Sequence, residues 1–407
     1  MNIVLHKSTI TNKDSLINIT GSKSESNRIL LLQALFSGIA INNLSNSDDS
    51  QLMQKALRST SDIIDIHHAG TAMRFLTAYF ATQDNRTVII TGSSRMKERP
   101  IKILVDALKH LGADISYTEN DGFPPLLIKG KKLNKREVKL KANVSSQYIS
   151  ALLLVASKLE NGLRLELEGE ITSVPYIKMT LALLDEIGIV TSFKNNCITV
   201  NQKSSIKNHK FLVESDWSSA SYFYSIIALS PIGTKISLQS YKQDSLQGDS
   251  ALVSIYKTFG VETNFNNNSL TLTKKSNHSD SVKLNLANCP DIAQTIAVTC
   301  FGLGMYCDLK GLHTLKIKET DRLEALKTEL EKLGGNVSIT ENSLQLDSTD
   351  VIKDGIKIAT YKDHRMAMAF APLALKTNLK IEDAEVVSKS YPDFWKDLET
   401  LGIQISK

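Results

Sequence analysis

A chain of 407 residues exceeds what one hydrophobic core ordinarily holds, so two domains are expected. Hydrophobic residues at 42% and charged residues at 22% are ordinary for a soluble globular enzyme. A formal net charge of +5 is too mild to imply nucleic acid by itself, and it suits anionic small substrates.

The first residues, Met1-Asn2-Ile3-Val4, lack the basic region and apolar stretch of a signal peptide. The longest apolar run, 366–375, is too short to cross a bilayer. Cys197, Cys289, Cys300 and Cys307 show no CxxC pairing and fit a reducing compartment and buried thiols better than disulfides or zinc. A cytoplasmic location, with no membrane partner, is the expectation.

Short β-like runs alternate with apolar helices along the chain. The runs 39–44, 87–91, 163–167, 197–200 and 270–272 read as strands bounded by Gly, Asn, Asp or Ser. Helices are expected over 24–36, 71–80, 99–111, 145–157, 175–184, 217–228, 291–301, 323–333 and 363–375. Their bodies are apolar all round, which marks buried helices. Their starts are polar or charged. Ser, Thr and Asp there suffice as caps for the first N–H groups. Caps do not require the Lys or Arg that accompany several of them, because a cation opposes the macrodipole at that end. Cations gathered with free N–H groups make a site for phosphate and carboxylate.

Lys318-Glu319-Thr320-Asp321-Arg322 shows the device most fully: a carboxylate and two cations open an apolar helix that Gly334-Gly335 stops. The run Lys129, Lys131, Lys132, Lys135, Arg136, Lys139, Lys141 reads as a solvated hairpin. No aromatic interleaves it, which argues against a nucleic-acid partner. A turn-rich stretch near 201–208 separates the two halves.

Eight blocks carry a family resemblance. They are 21–28 (GSKSESNR), 69–74 (AGTAMR), 95–100 (RMKERP), 145–147 (SSQ), 246–249 (LQGD), 290–291 (PD), 318–322 (KETDR) and 363–368 (DHRMAM). In this order and register they closely resemble the signatures of the EPSP synthase family. The resemblance implies an α/β fold of two similar domains, each of three βαβαββ units with buried helices and outer sheets, an inside-out α/β barrel with a cleft between domains. Residues 20–214 would form one domain, and 1–19 with 215–407 the other. It implies transfer of the carboxyvinyl group of phosphoenolpyruvate to shikimate 3-phosphate by addition and elimination. No metal or redox cofactor is called for, and a monomer is expected.

Residue by residue, the resemblance makes Lys23 the cation touching both substrates and a proton donor to the departing phosphate. Ser24 and Arg28 would contact the carboxylate side of shikimate 3-phosphate. Ser145, Ser146 and Ser173 would hold its phosphate, with Tyr176 beside the ring. Gln147 would lie against both substrates. Thr314 and Lys318 would hold the shikimate side. Gly70, Arg99, Arg322, Arg365 and Lys389 would form the phosphoenolpyruvate pocket. Asp291 would be the base toward the shikimate hydroxyl, and Glu319 the acid toward the methylene carbon. The chain departs from the family pattern at His68 and Thr314, where Asn is usual, and at Phe75, where Pro is usual. These departures bear on the fine shape of the contacts and on glyphosate, which competes with phosphoenolpyruvate.

Three rival readings stand beside this one. A UDP-N-acetylglucosamine enolpyruvyl transferase would need a loop cysteine as acid, and Ser93–Pro100 has none. A catalytically silent anion binder would not need Glu319, Asp291 and Lys23 together. A nucleic-acid binder would rest on the 129–141 run alone.

Overall fold

The computed structural model describes residues 1–11, 15–141, 145–169, 171 and 173–407. The chain divides into two compact units, one of Met1–Gly21 with Glu214–Lys407 and one of Ser22–Val213. Three sheets belong to each, and none closes on itself among the described residues.

One βαβαββ pattern recurs. In the unit of Glu214–Lys407 it first runs through strand Leu16–Ile17, helix Trp217–Leu229, strand Lys235–Gln239, helix Leu252–Lys257 and the hairpin Val261–Asn266 with Ser269–Lys274. The first two strands are parallel, with Leu16 opposite Ser237, and the rest are antiparallel. Ser281–Leu346 repeats the pattern with the same pairing. The third copy starts at Ile356–Ile358 and borrows its inner strand, Ile3–Leu5, from the start of the chain.

The unit of Ser22–Val213 holds two complete copies, beginning at Ile63–Asp65 and Glu137–Lys141. Its third copy has only two strands among the described residues, Ile39–Asn42 and His209–Leu212, paired in parallel. The sheet of this third copy thus has fewer described strands than the other five.

Burial follows from the apolar helix bodies. In Trp217–Leu229 every residue but Ser218 is buried. It packs on the buried helix Ala293–Leu303. Their inward hydroxyls satisfy one another: Ser221 meets Thr295 at 2.9 Å, and Thr299 donates to Ser225 at 2.8 Å. The strands alternate instead; Glu137–Lys141 turns Val138 and Leu140 inward and leaves its charged residues exposed.

Two expectations on element boundaries need correction. The basic run is not a hairpin. Leu126–Lys129 pairs with Thr87–Thr91 and Asp114–Tyr117, whereas Glu137–Lys141 pairs with Leu163–Glu168 in a different sheet. The helix expected from residue 99 begins at Lys102 and ends at His110. Pro100 disfavours helical backbone at Arg99, which leaves that side chain in the preceding loop.

Candidate functional site

In the unit of Glu214–Lys407, the start of helix Arg322–Leu333 is capped by Asp321, whose Oδ1 accepts from the N–H groups of Leu323 and Glu324 at 3.1 and 3.2 Å. That assigns Asp321 a structural task and leaves its neighbours to the site. Arg322 is 2% exposed and uses three nitrogens. Nε donates to Asp363 at 2.7 Å, Nη1 to Asp291 at 3.0 Å and Nη2 to Glu319 at 2.8 Å. One rigid guanidinium thus holds Asp291 and Glu319 together.

Asp291 lies in the short turn Pro290–Ile292 ahead of helix Ala293–Leu303. Besides Arg322 it meets Lys318 at 3.5 Å and Arg365 at 3.2 Å. Burial pushes the Asp291 carboxyl up, but Arg365, Lys318 and Arg322 outweigh it and hold it well below the usual carboxylate range. Burial lowers the Lys318 ammonium, with Asp291 opposing.

Asp363 caps helix His364–Phe370, accepting from Arg365 N–H at 2.9 Å. Arg365 also donates to the Asp291 carbonyl at 2.8 Å and to Ser218 Oγ at 3.2 Å. Ser218 in turn donates to Asp249. Burial, then Asp291, push the Asp249 carboxyl up to about 7. Lys389 donates to the Lys362 carbonyl at 2.7 Å, which places it beside Asp363. That carbonyl is turned by two successive left-handed residues, Tyr361 and Lys362. Thr314 lies in the turn His313–Ile317, just ahead of Lys318, and its hydroxyl is buried with no hydrogen-bond partner among the described residues.

The unit of Ser22–Val213 presents a different set. Helix Lys23–Leu35 is capped by Ser22, and Lys23 Nζ stands 3.9 Å from Asp49. Ser24 directs its carbonyl to Arg28 Nη1 at 2.7 Å. Arg28 is buried, and its other nitrogens reach Thr180 at 2.8 Å, Ser150 at 2.9 Å and the Tyr176 carbonyl at 3.4 Å. It lies over the rings of Phe75 and Tyr176. Burial lowers its pKa to about 10.

Ser145 caps helix Ser146–Ala156, accepting from Gln147 N–H at 3.4 Å, and Gln147 Nε2 donates to Thr71 at 3.2 Å. This ties the Ser145–Gln147 start to the start of helix Gly70–Ala81. Ser173, left-handed at φ 55°, precedes helix Val174–Glu186 and makes no side-chain cap. Gly70 and Arg99 touch. A Cβ at Gly70 would lie 2.5 Å from Arg99 Nη1, so only glycine leaves the guanidinium its place. Arg74 steadies the loop, donating to the Gly70 and Pro100 carbonyls at 3.2 and 3.0 Å.

The structure therefore gathers Asp291, Glu319, Lys318, Arg322 and Arg365 directly, with Lys389 and Thr314 flanking. In the other unit it gathers Gly70, Arg99 and Gln147, and separately Ser24 with Arg28. Arg95 and Lys97 are surface residues engaged with Glu98 and Glu119. Asp49, Asp249, Asp363 and Ser218 were not picked out as site residues from the sequence. Asp363 and Asp249 stood inside quoted blocks, whereas Asp49 carried only the signal of an acidic first helical turn.

The repeated βαβαββ fold of this chain is also that of solved enolpyruvyl transferases. Over the full length of both chains it superposes on an EPSP synthase of Acinetobacter baumannii with a TM-score of 0.81 at 19% identity. The enolpyruvyl transferase NikO of Streptomyces tendae gives 0.77 at 13% identity, covering 100% of this chain and 98% of the other. Sequence narrows the class. Residues 58–398 match the profile of EPSP synthase (3-phosphoshikimate 1-carboxyvinyltransferase). A 3-phosphoshikimate 1-carboxyvinyltransferase of Bacteroides fragilis (strain YCH46) is 46% identical over 96% of this chain and 95% of its own length. One of Haemophilus influenzae is 35% identical over 96% and 97%. The chain belongs to the EPSP synthase family.

Proposed function

We propose that this chain transfers the carboxyvinyl group of phosphoenolpyruvate to the 5-hydroxyl of shikimate 3-phosphate, releasing inorganic phosphate. Family membership supports the reaction. The observation that carries the roles is Arg322, which holds Asp291 and Glu319 at 3.0 and 2.8 Å. In the addition step the hydroxyl oxygen bonds to C2 of phosphoenolpyruvate, Asp291 takes the hydroxyl proton, and Glu319 gives a proton to the methylene carbon. In the elimination step Glu319 takes a proton back from the new methyl group, and the C–O bond to phosphate breaks. Lys23 protonates the departing oxygen.

Asp291 clamped by three cations is a weak base. Substrate phosphate and carboxylate groups engaging Lys318, Arg322 and Arg365 relieve that clamp, so binding itself raises the basicity of Asp291. Arg365, Arg322 and Lys389 take the anionic groups of phosphoenolpyruvate, Arg through paired donors. Gly70, Arg99 and Gln147 face the same substrate. Ser24, Arg28, Ser145, Ser146, Ser173, Thr314 and Lys318 hold shikimate 3-phosphate. Fixed donors and cations of this kind stabilise developing charge without reorganising.

Purified protein given both substrates is expected to release one phosphate per enolpyruvyl ether formed. Absence of phosphate release overturns the reading. A monomer in the cytoplasm completes the proposal, and light scattering in solution tests the first part of it.

A further inference from the structure

Helix Arg322–Leu333 meets the segment ahead of Asp363 at a second place, two turns beyond Arg322. Glu329, fully buried, lies seven residues on and so on the same face, about 10 Å along the axis. Its Oε1 accepts from Tyr361 Oη at 2.6 Å and from Lys332 Nζ at 2.7 Å. Its Oε2 accepts from Lys332 Nζ at 2.8 Å and from Ala359 N–H at 3.3 Å. Lys332 and Ala359 suffice to compensate a buried carboxylate and to join the helix to the end of strand Ile356–Ile358. They do not account for Tyr361. That residue is 38% exposed, and an exposed phenol has water for its hydroxyl and needs no buried partner.

Tyr361 and Lys362 are left-handed in succession, at φ 53° and 54°. They are the central pair of a turn closed by Asp363 N–H, which donates to the Thr360 carbonyl at 2.8 Å. Such pairs are the habit of Gly, Asn and Asp, and the Cβ atoms of Tyr and Lys disfavour them. The turn therefore needs a hold from outside, and strain of this kind gathers where function requires one geometry. This turn sets two groups of the site. It presents Asp363, which receives Arg322 Nε and the Arg365 N–H. It also aims the Lys362 carbonyl at Lys389 Nζ, 2.7 Å away. Asp363 is thus held from the helices on either side of it. Lys389, half-buried at the end of the short turn Ala384–Lys389, is tied to the strained turn through that carbonyl.

We propose that Tyr361, anchored on Glu329, is a positioning residue for phosphoenolpyruvate: its bond to Glu329 fixes the 360–363 turn, and the carbonyl of that turn sets the Lys389 ammonium. The inference rests on the role proposed above for Lys389. Neither Tyr361 nor Glu329 touches substrate. A lysine held in place before the anion arrives loses less rotamer freedom on binding it, so the hold favours affinity rather than the chemical step. Loss of the Tyr361 hydroxyl therefore belongs in KM and not in kcat.

Tyr361→Phe tests this in the full chain and strands no charge, because Glu329 keeps Lys332 and the Ala359 N–H. It should raise KM for phosphoenolpyruvate at least about fivefold, the loss expected for one hydrogen bond, with kcat and shikimate 3-phosphate affinity within about twofold of wild type. Lys389→Met should also raise that KM, and adding Tyr361→Phe to it should change KM by less than about 1.5-fold, because the two act as one unit. A third readout needs no turnover. Acetylation of Lys389 by acetic anhydride in the substrate-free protein, followed by peptide mass spectrometry, should run at least about threefold faster in Tyr361→Phe. The exposed Lys396 should react at its wild-type rate. An unchanged KM in Tyr361→Phe, an unchanged Lys389 acetylation rate, or the same rise in KM with and without Lys389 overturns the inference and leaves the role of Lys389 standing. A wild-type KM in Lys389→Met overturns that role and the inference with it.

Discussion

Arg322 and Arg365, in the unit of Glu214–Lys407, both end on carboxylates, whereas Arg28 in the unit of Ser22–Val213 ends on hydroxyls and carbonyls. The Arg99 side chain has no ion pair or hydrogen bond among the described residues, and its Nε is buried without a partner. Buried cations are costly unless paired, so the two sets are built for different tasks. Where Asp291, Glu319 and Asp363 accompany the cations, charge is already balanced and proton positions are finely set. Where carboxylates are scarce, the balance is left for an incoming anion to complete. Lys23, 3.9 Å from Asp49, stands between these cases.

The largest effect that could break this contrast is on stability. Arg322→Met leaves the fully buried Asp363 without its cation and removes one of three cations from Asp291, and it should cost about 3–5 kcal/mol in urea unfolding. Arg28→Met strands no carboxylate, and Thr180 can still donate to Ser150 at 3.0 Å. It should cost less than about 1 kcal/mol while weakening shikimate 3-phosphate binding at least about tenfold. Equal costs for the two variants would remove the distinction.

Next in size is turnover. Glu319→Gln and Asp291→Asn should each lower kcat at least about a hundredfold, near 2.7 kcal/mol of barrier, with shikimate 3-phosphate affinity little changed. Near-wild-type kcat in both would show that the paired carboxylates are structural.

The smallest effect sharpens the comparison inside one cluster, because Asp291 and Asp249 are shifted in opposite directions. An unfolded aspartate titrates near about 3.9. The Asp291 value lies below that, so its stabilising contribution is present above about pH 4 and is lost as pH falls below it. Asp249 rises to about 7, so its contribution is present below about pH 4 and is lost as pH climbs toward 7. Relative to wild type, Asp249→Asn should therefore gain stability from pH 4 to 7. Asp291→Asn should close its deficit only below pH 4. Parallel curves of urea midpoint against pH would contradict both signs.

Much of this was legible in the sequence because it is local. The helix expected over 145–157 is Ser146–Ala156, and that expected over 217–228 is Trp217–Leu229. Polar caps followed by apolar runs mark such elements without any tertiary information. Pairing is not local. Nothing in Lys129 to Lys141 announces that its two strands join different sheets, or that the sixth βαβαββ copy has two described strands. The Lys23–Asp49 approach and the Gly70–Arg99 contact join distant residues and were likewise invisible as geometry. Asp363 was quoted for its neighbours His364 and Arg365, yet it is the fully buried partner of Arg322.

Strand Ile3–Leu5 pairs with Leu379–Ile381 on one side and Ile405–Ser406 on the other. A growing chain delivers that strand well before either of its partners. Residues 22–213 can fold while the rest is still being translated, but the surrounding unit cannot close its third sheet until the final strand emerges. Leu5 and its partner Ile405 are about 400 residues apart, so at ordinary elongation rates the wait is about 20–80 s. Through it, Ile3 and Leu5, both buried in the finished protein, lie uncovered on the nascent chain and are open to chaperones or to the wrong strand.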